Sequence, residues 1–161
     1  MFDVRATLVG SQGLAGGSVT GVVYVRVWAY FASPLPTTPF NQLINLADDP
    51  GDGISFGAED GFIANNDYTS VVYEQSTTVQ LPIDRWTCLQ MAMPSGTTDT
   101  ARLYVDGQEV TDVAIAKATV QPRPTHVYIG LEWVGTVASQ PAVDAWFDEI
   151  IVDDAPTSCT D

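Results

Sequence analysis

The stretch Gly21-Val-Val-Tyr-Val-Arg-Val-Trp-Ala-Tyr-Phe31 decides the fold. Val23, Val25, Val27, Ala29 and Phe31 point one way along it, and Tyr24, Arg26, Trp28 and Tyr30 point the other. Successive side chains of a strand take opposite faces, so this alternation reads as a half-buried β-strand. Its inner face is apolar and its outer face is aromatic and hydrogen-bonding. Branching at Cβ makes the valines stiff and suits them to a pleated surface.

Working outward, the same period of two recurs between clusters of Gly, Pro, Asn and Asp. Further strands are expected at residues 4–9, 42–47, 53–57, 62–64, 69–75, 87–93, 101–105, 108–113, 126–133 and 145–152. Asp106-Gly107 between two such runs is a strong hairpin signal, since both central residues of a type I′ turn need positive φ. Asp52-Gly53, Asp60-Gly61 and Asn65-Asn66-Asp67 also mark turns, and Pro34, Pro36 and Pro39 make 33–39 a loop. Residues 114–118 allow one helical turn and no more. About ten to twelve short strands without a helical pattern predict an all-β sandwich or closed barrel. Faces are consistent elsewhere: Leu89, Met91 and Met93 oppose Trp86, Cys88 and Gln90. Val127, Ile129 and Leu131 likewise oppose His126, Tyr128, Gly130 and Glu132.

The 161 residues suit one domain, with residues 153–161 as a C-terminal tail. Hydrophobic residues make up 45% and charged ones 16%, neither a disordered nor a membrane profile. Twenty acids against six bases give a net charge of −14, and Lys117 is the sole lysine. A phosphate backbone or anionic bilayer needs clustered cations, so nucleic acid and membrane surfaces are excluded as partners. His126 is the only histidine, which excludes a zinc site built from several imidazoles. No Walker loop and no dinucleotide fingerprint occurs. The uncharged runs 6–25 and 27–47 are broken by glycines and prolines and do not read as membrane helices. No basic segment precedes an apolar one at the start, and the chain opens almost in strand. The expectation is a mature or excised piece of a longer protein.

Cys88 and Cys159 are the only cysteines. A bond between them would pin the tail to the body and stabilise the fold by about 4 kcal/mol on the loop-entropy estimate. The alternative is two thiols, one buried and one on a loose tail. Acidity, near-absence of lysine and many short strands favour the disulfide and an extracellular setting, with adaptation to a saline environment as the other source of the acidity.

The order Arg85-Trp-Thr-Cys-Leu-Gln-Met-Ala-Met, Ala101-Arg-Leu-Tyr-Val-Asp-Gly-Gln-Glu-Val, Val127-Tyr-Ile-Gly, Trp146-Phe-Asp-Glu-Ile-Ile-Val resembles the concanavalin A-like lectin/glucanase superfamily. Within it the pattern is most similar to laminin-G-like domains, and Tyr24-Val-Arg-Val-Trp resembles an earlier strand of them. The resemblance spans about residues 22–152 and implies a jelly-roll β-sandwich of two antiparallel sheets. It also implies a glycan or polysaccharide as partner and a Ca²⁺ ion with Asp148 among its ligands, while the abrupt opening of the chain adds other domains of a longer parent protein as expected partners.

Candidate sites follow from chemistry. Asp48 to Glu59 places acids at positions 1, 5 and 12 of a Ca²⁺ loop, but Pro50 stands where an oxygen donor belongs, so the segment reads as an acidic hairpin turn. Sugars present apolar C–H faces ringed by hydroxyls, and are held by aromatic platforms beside planar hydrogen-bonding groups. Tyr24, Arg26, Trp28 and Tyr30 supply both, and Gln90, Tyr128 and Glu132 extend the set if their strands share the sheet. No catalytic residues are assigned. Asp148-Glu149 and Asp153-Asp154 do not match the Glu-x-Asp-x-(x)-Glu pattern of the superfamily's hydrolases, Asp148 and Glu149 being expected on opposite faces. A lyase would need Arg26, Gln90, His126 and Tyr128 to assemble. The expected function is therefore non-catalytic carbohydrate recognition, as a lectin or binding module. The alternatives are a polysaccharide-cleaving enzyme of the same fold, and a structural or adhesive module.

Overall fold

The computed structural model describes residues 3–7, 21–35, 40–48, 53–115, 121, 123–134 and 143–160, with backbone alone for 3–7 and 132–134. Eleven strands lie in these segments: β1 (Asp3–Thr7), β2 (Gly21–Phe31), β3 (Asn41–Ala47), β4 (Gly53–Glu59), β5 (Phe62–Asp67), β6 (Val72–Gln80), β7 (Trp86–Ser95), β8 (Arg102–Val105), β9 (Gln108–Glu109), β10 (His126–Val134) and β11 (Ala145–Asp153). Two antiparallel sheets result, one of six strands in the order β1-β10-β3-β4-β5-β6 and one of five in the order β11-β2-β7-β8-β9. The architecture is an all-β jelly-roll sandwich.

The alternating residues of β2 explain the packing. Val23, Val25, Val27, Ala29 and Phe31 are all at most 2% exposed and join Leu89, Met91, Met93 and Leu103 on the inner face of the five-stranded sheet. Ile44, Leu46, Ile54, Phe56, Ile63, Val127 and Ile129 face them from the other sheet. Each fully buried side chain of this size contributes about 1.5–3 kcal/mol of apolar burial. Phe31 meets Phe147 of β11 edge to face at 5.9 Å, which closes the core at the sheet edge.

Turn chemistry behaves as the sequence implies at two hairpins. Asp60 and Gly61 have φ of 49° and 81°, and Asp106 and Gly107 have 50° and 76°, the paired positive values of type I′ turns. β3 ends at Ala47 directly opposite Gly53 at the start of β4, so strands and not helices flank the acidic segment 48–59. Residues 49–52, and with them the Asp52-Gly53 turn, lie outside the described residues.

Four expectations are corrected. Asn65-Asn66-Asp67 does not turn the chain but finishes β5. Asn65 is fully buried and its Nδ2 donates to the Val113 carbonyl at 3.1 Å, a tertiary bond that outweighs poor strand propensity. The turn falls instead at 68–71, and β6 starts at Val72 and runs on to Gln80. The strand expected over 108–113 stops at Glu109 and gives way to a 3₁₀ turn, η1 (Thr111–Val113). Asp112 in that turn accepts from the Ser76 hydroxyl at 2.9 Å and the Thr77 amide at 3.1 Å, fastening it to β6. Ala114, expected to begin a helical turn, is extended, and Ile115 bridges Ala101; 116–118 lie outside the described residues. The first strand is described over Asp3–Thr7, and residues 8 and 9 lie outside.

Candidate functional site

The outer face of the five-stranded sheet carries most of the residues singled out in the sequence. Direct cross-strand partners share a face, so the register sorts them into rows. Trp146 of β11 lies opposite Tyr30, which lies opposite Trp86 of β7. The next row is Asp148, Trp28 and Cys88, and beyond it come Arg26, Gln90, Tyr104 and Glu109. Tyr24 stands beyond Arg26, opposite Asp153 and Ala92.

The first row is a three-ring cluster. Tyr30 meets Trp86 at 5.8 Å and Trp146 at 5.6 Å, edge to face in both pairs. Such edge-to-face geometry is favoured by the ring quadrupoles. The indoles are 45% and 51% exposed, so about half of each lies in water while Tyr30 is wedged between them. Large apolar groups side by side at a surface are informative in a way that single ones are not.

The third row is closed over by the tail. Cys88 and Cys159 form a disulfide across 71 positions of sequence, and the tail crosses the sheet beside it. Arg26 is 4% exposed, and its Nη1 donates to the Ser158 carbonyl at 2.7 Å. Gln90 Nε2 donates to the Thr157 carbonyl at 2.7 Å, and Gln90 Oε1 lies 2.9 Å from the Cys159 sulfur, which as half of a disulfide has no proton to give. Arg26 and Gln90 are therefore on the expected face but engaged by the tail, and Trp28 is half-buried beside the disulfide. The tail begins with a tight turn in which Asp153 Oδ1 accepts from the amides of Asp154 at 2.7 Å and Ala155 at 3.1 Å. Those two bonds, the Ala155 one first, hold the Asp153 carboxyl below the usual range.

Asp148 and Glu149 do not take opposite faces. The register shifts between Asp148 and Ile151, and Glu149 has φ of 47°. This bulge swings Glu149 toward the outer face, where Oε2 comes within 3.5 Å of Arg26 Nη2. Asp148, opposite Trp28, is on that face too, and its Oδ1 accepts from the Glu149 amide at 2.8 Å. Among the described residues no three His, Cys, Asp or Glu side chains gather as a metal site, so a cation at Asp148 would draw its other ligands from elsewhere.

Tyr128 is on the opposite side of the molecule. β10 belongs to the six-stranded sheet, and Tyr128 stands in a polar row with Asn45, Ser55, Asn66 and Tyr73 across β3, β4, β5 and β6. Tyr68 reaches over this face and donates to Asn45 Oδ1 at 2.6 Å. His126 stacks on Tyr128 at 6.0 Å. Glu132 is on the same strand, and its side chain lies outside the described residues. The condition for Tyr128 and Glu132 to extend the β2 platform, a shared sheet, is not met. The assembly of Arg26 and Gln90 with His126 and Tyr128 that a lyase would require is likewise absent, because the packed core separates the pairs.

Trp86 and Trp146 carry no binding signal of their own in the sequence. Alternation already puts Trp86 on the side of Cys88 and Gln90, but only the pairing register shows that three aromatic residues on three strands form one row.

No protein-family model matches this sequence, and no curated protein matches it. Solved structures do. Cip1, described as a cellulose-induced protein, superposes with a TM-score of 0.72 at 19% identity, covering 88% of this chain and 72% of that one. Botulinum neurotoxin type C, described as entering cells in dependence upon interaction with two ganglioside molecules, gives 0.65 at 11% identity, covering 97% of this chain. The serotype D ligand-binding domain in complex with N-acetylneuraminic acid gives 0.63 at 11% identity, again over 97% of this chain. This chain spans 37% of each of those toxin domains. At such identities the likeness is one of fold, and the fold is the β-sandwich described above.

Proposed function

We propose that this protein is a non-catalytic carbohydrate-binding module of concanavalin A-like, laminin-G-like type, working outside the cell as a single domain. The observation that carries the reading is the exposed row Trp86–Tyr30–Trp146. Aromatic rings cover the apolar C–H face of a sugar, and the exposed carboxylates of Asp84, Asp144 and Asp148, each within two residues of an indole, accept from its hydroxyls. A net charge of −14 disfavours uronic and sulfated polymers, which leaves neutral or cationic glycans. The disulfide supports an extracellular setting. That one structural neighbour is described as cellulose-induced and another in complex with N-acetylneuraminic acid supports sugar recognition on this fold as an analogy.

The test is a polysaccharide array read for both retention and breakdown, in Ca²⁺ and in EDTA. Retention of a neutral or cationic glycan without breakdown is expected, and it should fall away when Trp86 and Trp146 are both replaced by alanine. Breakdown products would move the assignment to an enzyme of the same fold. Silence throughout would move it to a structural or adhesive module. Loss of retention in EDTA would place a cation at the site, with Asp148 the ligand to replace first.

A further inference from the structure

We infer, on the basis of the carbohydrate-binding reading, that the ligand is an extended, unbranched, uncharged β-linked glycan that lies across the strands, along the row Trp146–Tyr30–Trp86.

Three observations fix the direction. First, the row runs through directly paired residues on β11, β2 and β7, so its residues are one inter-strand step apart and the two indoles are two steps, about 9.5 Å, apart at their Cα atoms. In an extended β-1,4-linked chain each sugar advances by close to one such step. Alternate sugars are turned over, so the same face recurs every second sugar. Two sugars of like orientation then meet the two indoles, and the sugar between them meets Tyr30. Along a strand, residues of one face recur at about 6.7 Å, which matches no such repeat.

Second, the way along the strands is obstructed. Two rows from the aromatic cluster the tail lies on the sheet, holding Arg26 and Gln90 through Ser158 and Thr157. On the other side the strands end at Phe31, Ala145 and Trp86. Third, among the described residues the way across is open at one end, because β11 is the outermost strand of the five-stranded sheet there and Trp146 on it is 51% exposed. At the far end the Arg85–Asp106 ion pair, 2.7 Å, stands beside Trp86.

Charge selects the same occupant. Asp84, Asp144 and Asp148 lie within two residues of the indoles and all are exposed. An anionic sugar is repelled there, and so is a second copy of a chain carrying −14. A neutral polyhydroxylated chain gives these acids hydroxyl donors and gives the rings its C–H faces.

The experiment is a calorimetric titration with β-1,4-linked gluco-oligosaccharides of two to six sugars, beside maltohexaose as a curved α-linked control. Wild type, Trp86→Ala and Trp146→Ala are compared, with thermal melts and sedimentation as controls on folding and association. Affinity is expected to rise about tenfold between two and three sugars, when the second indole is reached, and to level off soon after. Either alanine variant should lose about tenfold for the longer chains, equivalent to about 1.4 kcal/mol, and lose the length dependence while still melting cooperatively, within a few degrees of wild type. Equal binding of maltohexaose, or a length dependence that survives both substitutions, overturns the transverse chain while leaving carbohydrate binding in place. Absence of binding to every glycan overturns both readings. Dimerisation of wild type that is abolished by the two substitutions assigns the row to a second copy and overturns them as well.

Discussion

Arg26 and Ser158, 132 residues apart in the chain, are joined by a 2.7 Å hydrogen bond from the guanidinium Nη1 to the backbone carbonyl. The bond explains how a cation at 4% exposure is tolerated on the outer side of a sheet. The tail supplies the acceptor that water would otherwise provide, and Glu149, itself largely exposed, adds only a long contact at 3.5 Å. The disulfide one row away holds the tail in place to do so.

Cutting the disulfide therefore has two separable effects. Replacing Cys88 and Cys159 by serine restores the freedom of a 71-position loop and should cost about 4 kcal/mol in urea unfolding. Arg26→Ala, with the disulfide intact, should cost about 2 kcal/mol, the scale of a hydrogen bond to a charged group. An Arg26→Ala variant as stable as wild type would mean that the tail contact is incidental.

The aromatic row and the core should respond oppositely to truncation. Trp86→Ala and Trp146→Ala remove rings that are 45% and 51% exposed, so each should lower stability by about 1 kcal/mol or less. Phe31→Ala, on the same strand as Tyr30 but wholly buried against Phe147, should cost about 3–5 kcal/mol. Thermal melts of the three variants check this ordering.

Gly57 occupies a position that admits no side chain. A Cβ there would run into the Asn41 carbonyl oxygen, a backbone atom, and lie 2.9 Å from the Phe40 ring. The register shift in β3 between Gln42 and Ile44 lies in the same part of the β3–β4 pair. Gly57→Ala should force β3 and β4 apart and destabilise by several kcal/mol, against about 1 kcal/mol for Gly107→Ala, where space is open and only positive φ is at stake. Comparable denaturation midpoints for the two variants would contradict this.

Tyr73 gives stability an alkaline limit. Partial burial first, and then the hydrogen bond its hydroxyl donates to Glu59, hold its proton above the ordinary tyrosine range. The unfolded chain releases that proton near pH 10 while the folded chain keeps it. The contribution is thus complete below about pH 10 and is lost as pH rises beyond it, because deprotonation favours the unfolded state. Tyr73→Phe should flatten the fall in stability above pH 10, measured as urea midpoint against pH.

Much of this was legible in local sequence because alternation is a local property. The inner and outer faces of β2 are where the pattern of Gly21–Phe31 puts them, and the Asp60-Gly61 and Asp106-Gly107 hairpins have the backbone their residues demand. What was not legible depended on register and tertiary contact. Tyr128 and Tyr24 look equivalent in alternation, yet their strands lie in different sheets. Asn65 reads as a turn residue until Val113, 48 positions later, is found to accept its amide proton. Glu149 changes face because of a bulge that no turn residue announces. The tail that covers Arg26 and Gln90 carries no pattern beyond its cysteine.

The most direct test of carbohydrate binding on the five-stranded sheet uses the four tryptophans as reporters. The indole N–H signals of Trp28, Trp86, Trp133 and Trp146 are assigned by single substitutions and followed while a β-1,4-linked oligosaccharide is added. The account predicts that Trp86 and Trp146 shift together in saturable fashion while Trp133, on β10 of the other sheet, stays still. Movement of Trp133 with Trp86 and Trp146 unchanged would put the site on the six-stranded sheet and contradict it.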